Sequence, residues 1–197
     1  VGYFDLREPP AGSAVKDNTP RIVSLAAYAS WSAVEAKRAT RRADKQWTEA
    51  GDELTAKAPA FDRVESWLLR AFDGLPKIEV PPSGDGPPPR FFDLRIAESP
   101  CFRTAVRKIE QFNSGEIRIF RRCGLNPVFF GETLFGAKMP NLWFMVWYDG
   151  REAREAAWEA FRKDPDWVKM QKDPRWAKAV FRFTDTFLQP LPFSPIR

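Results

Sequence analysis

Four side chains carry the chemistry that this sequence could offer: Arg95, Asn113, Glu116 and Glu132. Asn113 and Glu116 fall in the run Phe112-Asn-Ser-Gly-Glu-Ile117, inside a stretch whose apolar residues Ile109, Phe112 and Phe120 recur at helical spacing. That spacing turns both polar groups towards the buried side. Gly115 lies between them and costs a helix interior about 1 kcal/mol relative to alanine, so the segment predicts a cavity or a helix break. A buried carboxylate requires a partner, and Arg95 or an arginine of the other repeated unit is the candidate. Arg95 and Glu132 are charges within strand patterns, and Glu132 shares the period of Val128, Phe130 and Leu134. Together the four define a candidate pocket between helix and sheet for a small apolar or aromatic ligand, with Glu116 as proton acceptor or anchor. The structural alternatives are a satisfied ion pair, the cap of a second short helix and a solvated strand face.

The rest of the composition narrows that chemistry. There is no histidine, which excludes a Ser–His–Asp triad, a histidine-ligated haem and a histidine-containing zinc site. No metal or cofactor is expected. Cys101 and Cys123 bracket a helix about 33 Å long if straight, too far apart for a disulfide, and free thiols fit a reducing, cytoplasmic setting. The net charge is +5, but acidic and basic residues are interspersed, so no nucleic-acid partner is expected. Arg41-Arg42 and Arg121-Arg122 close helices, where cations complement the helix dipole. No signal peptide is visible. The longest apolar run, Leu142–Tyr148, falls far short of the roughly 20 residues that span a bilayer, and a soluble protein is expected.

Periodicity and punctuation place the elements around these residues. Strands are expected at Val1–Leu6, Arg21–Tyr28, Phe61–Phe72, Phe91–Ile96, Val128–Phe135, Leu142–Tyr148 and Val180–Leu188, with a turn at Glu8–Ser13. Helices are expected from Ser32 to Lys57, from Ser99 (N-cap, with Pro100 at N1) to Cys123 before Gly124, and over Arg151–Lys163. Two turns of the form Lys-Asp-Pro-X-Trp, at Asp164–Trp167 and Asp173–Trp176, use tryptophan to pin themselves to the body. Pro76–Arg90 reads as a linker.

The two parts of the chain echo each other. At an offset of 120 residues Pro20 matches Pro140, Tyr28 matches Tyr148, Ala33, Glu35 and Ala36 match Ala153, Glu155 and Ala156, and Arg42, Asp44 and Trp47 match Arg162, Asp164 and Trp167. The expected organisation is a partial β-β-α-β repeat at 1–75, a linker at 76–90 and a complete β-α-β-β-α-β domain at 91–197. A first repeat without its opening strand and helix leaves a strand edge unpaired. A protein partner or self-association is therefore expected to complete it.

Several segments resemble a known family: FFDLRIAESP at Phe91–Pro100, FNSGEI at Phe112–Ile117, Ile119-Phe120-Arg121-Arg122, PVFFGET at Pro127–Thr133, Pro140-Asn141, and Ala156–Phe161 followed by Asp164-Pro165-Asp166-Trp167. In this order they resemble a NIPSNAP-domain protein, most nearly the bacterial type with two tandem domains. The resemblance covers Phe91–Arg197 well and Val1–Leu75 more weakly. It implies an α+β fold of the dimeric α/β-barrel type, in which two ferredoxin-like units join their sheets. It implies no catalytic residues. The expected role is that of a structural or interaction subunit of an oligomer or larger assembly. The alternative is a cofactor-independent, monooxygenase-like enzyme or small-molecule binder that uses the four-residue pocket.

Overall fold

The computed structural model describes residues 1–7, 22–61, 63–82 and 90–197. The turn expected at Glu8–Ser13 and residues 83–89 of the expected linker lie outside them. The described residues form two compact units, 1–25 with 67–197, and 26–66.

The larger unit is built on one antiparallel sheet. Its strands are β1 (Gly2–Arg7), β2 (Ile22–Leu25), β3 (Leu68–Ala71), β4 (Phe91–Glu98), β5 (Asn126–Phe135), β6 (Asn141–Tyr148) and β7 (Arg182–Pro190), in the order β2-β1-β7-β4-β6-β5-β3. The strands of the expected first repeat thus extend the sheet of the second at both edges. β3 is much shorter than the expected strand Phe61–Phe72: it pairs with β5 over Leu68–Ala71, and the described residues before it, 61 and 63–67, take no strand conformation. β5 contains Pro127, which has no N–H for a ladder, and the register with β6 shifts between Pro127 and Phe129. That bulge breaks the expected period: Val128 and Phe130 pack in different clusters on opposite faces of the sheet. Gly131 lets β3 approach β5, since a Cβ there would stand 2.9 Å from that of Leu69.

Helices cover one face. The expected helix over Ser99–Cys123 is three pieces: α3 (Phe102–Gln111), a π-helical turn (Phe112–Glu116) and α4 (Ile117–Arg122). Cys101, not Ser99, is the N-cap. Ser99 is still held to the sheet, its N–H donating to the Pro140 carbonyl at 2.9 Å. Gly124, at φ 86°, ends α4 as expected, and the Leu125 N–H returns to the Phe120 carbonyl at 3.0 Å. Helices α5 (Arg151–Lys163) and α6 (Pro165–Gln171) and the 3-10 turn Pro174–Trp176 follow β6. Phe112, Phe120, Ala157 and Phe161 of this layer bury Phe130, Phe144, Val146 and Phe187 of the sheet.

Among the described residues the opposite face has no helix. Its buried cluster joins Phe92 and Leu94 of β4, Val128 and Phe129 of β5, Met145 of β6 and Leu188 of β7 to Phe4 of β1 and to Ile196. Val23 and Leu25 of β2 and Leu69 of β3 pack against it half-buried. Phe92, Val128 and Leu188 are 0% exposed there. Without helices above, that burial requires the sheet to curl over itself, as barrel-type sheets do.

In the smaller unit the expected helix Ser32–Lys57 is divided at Asp44 into α1 (Trp31–Ala43) and α2 (Lys45–Thr55). The Asp44 carboxylate accepts from the Trp47 N–H at 3.1 Å and starts a new helix. Neither helix has a buried residue.

Candidate functional site

The π-helical turn follows from its sequence. Asn, Ser and Gly are weak helix formers that offer the backbone other hydrogen bonds. Ser114 Oγ donates to the Gln111 carbonyl at 2.9 Å, and Asn113 Oδ1 accepts from the Gly74 N–H at 3.0 Å. Asn113 is therefore exposed and turned to the loop after β3, not towards the sheet. Glu116 is buried as expected, at 3% exposure. Its partner is neither Arg95 nor another arginine but Lys108, whose Nζ stands 2.7 Å from Glu116 Oε2 and 3.1 Å from Gln111 Oε1. The ammonium also lies 4.3 Å from the centre of the Phe112 ring. Burial pushes the Glu116 carboxyl up, against the pull of Lys108. The backbone of Gly115, with Ser114, Arg118, Met170 and Trp176, lines an open groove of about 450 Å³ between this turn and α6. π-Turns of this kind are frequent at functional sites.

A second polar cluster lies between α5 and the sheet. Arg95 and Asp185 are paired across β4 and β7 through two hydrogen bonds of 2.5 and 2.6 Å, and the Arg95 guanidinium lies 4.4 Å from the Trp158 ring centre. Two residues before Arg95 on the same strand face, Asp93 is 0% exposed. One of its oxygens accepts from Arg154 Nε at 3.0 Å. Among the described residues its other oxygen, Asp93 Oδ1, has no hydrogen-bond partner, and neither has Tyr148 Oη or Trp158 Nε1. Desolvation raises the Asp93 carboxyl above the ordinary range despite Arg95 and Arg154. Burial and the negative field of Asp93 push the Tyr148 phenol far up, so it keeps its proton. The cluster thus gathers a buried acceptor, a hydroxyl and an indole donor, with the Trp158 indole close enough to the Tyr148 phenol to act on it. Strand alternation sets Asp93 and Arg95 on one face, and α5 brings Arg154 and Trp158 over them as an i, i+4 pair. Asp93 was readable as a charge in a strand, but nothing local in the sequence joins it to Tyr148 or Trp158.

Glu132 lies apart from both clusters. It pairs with Arg70 of β3, 2.5 Å away, near the edge of the sheet. The four residues expected to share a pocket therefore have four separate partners, and no hydrogen bond or ion pair joins any two of them. A further ion pair ties the helices together: Arg122 donates to both oxygens of Asp164 and to Asp166. Asp164 also caps α6 by accepting from the N–H groups of Asp166 and Trp167.

These elements coincide with a known domain. The sequence profile of the NIPSNAP family matches residues 102–195. Those residues are similar to a NIPSNAP domain. Among solved structures, a NIPSNAP family protein of unknown function from Agrobacterium tumefaciens is similar over 55% of this chain and 94% of its own, at 14% identity and a TM-score of 0.50. An uncharacterized NIPSNAP-like domain protein from Burkholderia xenovorans matches 54% of this chain and 89% of its own, at 20% identity and a TM-score of 0.48. No curated protein matches the chain by sequence. Among the described residues no helix of the chain is long and apolar enough to cross a membrane.

Two outcomes follow from the ion pairs. Lys108→Met leaves Glu116 buried without its counter-charge and should cost about 3–5 kcal/mol in urea unfolding, whereas the double variant Lys108→Met/Glu116→Leu should recover most of the loss. Equal losses in the single and double variants would show that the pair fixes more than its own charges. Hydrogen bonds from Arg122 and from the α6 backbone hold the Asp164 carboxyl down at about 2. A depressed folded-state value stabilises above the ordinary carboxylate range and is lost as pH falls towards about 2. The stability gap between the parent chain and Asp164→Asn should therefore be constant above about pH 5 and shrink steadily below about pH 4.

Proposed function

We propose that this chain is a NIPSNAP-type structural or interaction subunit that works through assembly, built from two copies of one ferredoxin-like unit of which the first is partial. The strand order β7-β4-β6-β5, with α3–α4 and α5–α6 as the two crossovers, supports the ferredoxin-like reading of the second copy. Support for the repeat comes from the matching elements: α1 spans 31–43 and α5 spans 151–163, and α2 and α6 begin at 45 and 165. Each second helix is capped by an aspartate accepting from a tryptophan N–H three residues on, Asp44 from Trp47 and Asp164 from Trp167, both at 3.1 Å.

The observation that carries the assembly reading is the smaller unit. Its two helices bury nothing, while Trp31, Trp47 and Leu54 are 55%, 58% and 67% exposed. Helices of this length are marginal in water without an apolar face to pack, and exposed tryptophan is the residue most concentrated at binding hot spots. The chain should run as a stable oligomer in light scattering at micromolar concentration, and Trp31→Ser with Leu54→Lys should shift it towards monomer. A monodisperse monomer throughout would overturn the reading.

The small-molecule alternative keeps one specific support, the unsatisfied trio Asp93 Oδ1, Tyr148 Oη and Trp158 Nε1. The notion of a pocket shared by Arg95, Asn113, Glu116 and Glu132 has weaker support, since each has its own partner. An occupant of the trio gains a hydrogen bond from Tyr148, so Tyr148→Phe should then cost about 1 kcal/mol. If the site is empty, deleting the orphaned hydroxyl should be neutral or stabilising, and the binding reading falls.

A further inference from the structure

The groove between the π-helical turn and α6 holds charges that the rest of the structure has not paired. Its volume, about 450 Å³, falls inside the roughly 300–1,000 Å³ that small-molecule sites occupy. Arg118 of α4 and Lys169 of α6 line it, one from each wall. Among the described residues neither has an ion pair, a hydrogen bond or an aromatic partner. Elsewhere on the surface, opposite charges within reach do pair, as Lys163 does with Glu159 and Lys45 with Glu49. The groove's own aspartates are already engaged: Asp173 holds Arg175, and Asp166 holds Arg122.

The floor and one end of the groove are set by packing. A Cβ at Gly115 would stand 3.4 Å from Met170 Cε and 3.6 Å from Arg118 Nη2, so the absent side chain leaves a flat ledge where thioether and guanidinium meet. Met170 itself is half-buried against the aromatic core. At the 3-10 turn, the Asp173 carboxylate accepts from Arg175 Nε and Nη2, and that guanidinium lies 5.0 Å from the centre of the Trp176 ring. Arg107 Nη1 donates to the Arg175 carbonyl at 3.4 Å, which ties the turn to α3. The indole is therefore oriented before any ligand arrives. Glu110, one turn on from Arg107, also lines the groove. It precedes Arg118 by roughly 12 Å along the helix axis.

We infer that this groove binds a small apolar monocarboxylic acid, whose carboxylate bridges Arg118 and Lys169 and whose body lies over Gly115 and Met170 towards Trp176. The guanidinium fork matches a planar carboxylate, and the ammonium adds a point charge from the other wall. Met170 and Trp176 supply the apolar surface that the body needs. Charge complementarity selects a monoanion over a phosphate monoester. Beyond the aspartate pairs, two cations face one free carboxylate, Glu110, and Arg122 serves both Asp164 and Asp166. The surplus is at most one positive charge, against about two negative charges on a phosphate. Glu110 also repels a second carboxylate at the far end of the ligand. The site uses none of Asp93, Tyr148 and Trp158, and it is independent of the assembly reading.

The test is isothermal calorimetry of chain 1–197 with naphthoate and octanoate, and with naphthol and naphthyl phosphate for comparison. At least one of the two acids should bind at millimolar concentration or below, with naphthol and naphthyl phosphate about tenfold weaker or more. Arg118→Ala and Lys169→Ala are surface changes that leave the core intact, and each should weaken the acid by about tenfold or more. Arg162→Ala, which removes an exposed cation outside the groove, and Tyr148→Phe should leave binding unchanged. No binding of either acid, or full binding in both groove variants, would overturn the proposal. Equal or tighter binding of the phosphate would overturn the choice of a carboxylate. Loss of binding in Tyr148→Phe with Arg118→Ala unaffected would move the ligand to the buried trio and sink the groove.

Discussion

The Phe120 ring meets Phe112, Phe130, Phe144, Trp158 and Phe161, with centroids 4.9–5.9 Å apart. It thereby ties α3–α4 and α5 to the paired strands β5 and β6. Edge-to-face and tilted rings of this kind fix relative orientation as well as burying area. The polar features depend on that orientation. Phe112 is the first residue of the π turn and the ring beneath Lys108, so the rings that seat it also set where Glu116 arrives. Trp158 leaves the same ring cluster on α5 and carries the stack on Arg95.

The sheet has two differently made faces. On one, aromatic rings and helices exclude water, and three charge pairs enter: Lys108 with Glu116, Arg95 with Asp185 and Arg154 with Asp93. On the other, the sheet supplies its own cover by curling, and its two edge strands are both half-built into that cover. The buried polar clusters thus lie on the helix-covered face.

Much of this was legible in the chain. Strong apolar alternation located β4 and β6 to within two residues, and Gly124 marked the end of α4. Gly115 marked the break in the long helix, because a glycine among Asn, Ser and Glu has little to gain from staying α-helical. Sequence could not say which way the break turns its side chains, and so it placed Asn113 inward and chose an arginine for Glu116. The inserted residue of the π turn shifts the helical phase, after which Lys108 becomes the neighbour. The β5 bulge did the same at period two and separated Val128 from Phe130. The trio of Asp93, Tyr148 and Trp158 is drawn from two strands and a helix, and only tertiary packing brings it together.

Phe4 is paired with Pro190, and Arg7 with Phe187, so the first strand of the chain and the last lie side by side. On the ribosome β1 emerges well before its β7 partner. Until β7 has been made, β1 and β2 form a two-stranded ribbon, an arrangement marginal in water by itself. Long-range pairings of this sort fold slowly and leave edges open to other chains in the meantime. The period of greatest exposure for this protein therefore falls during its own translation.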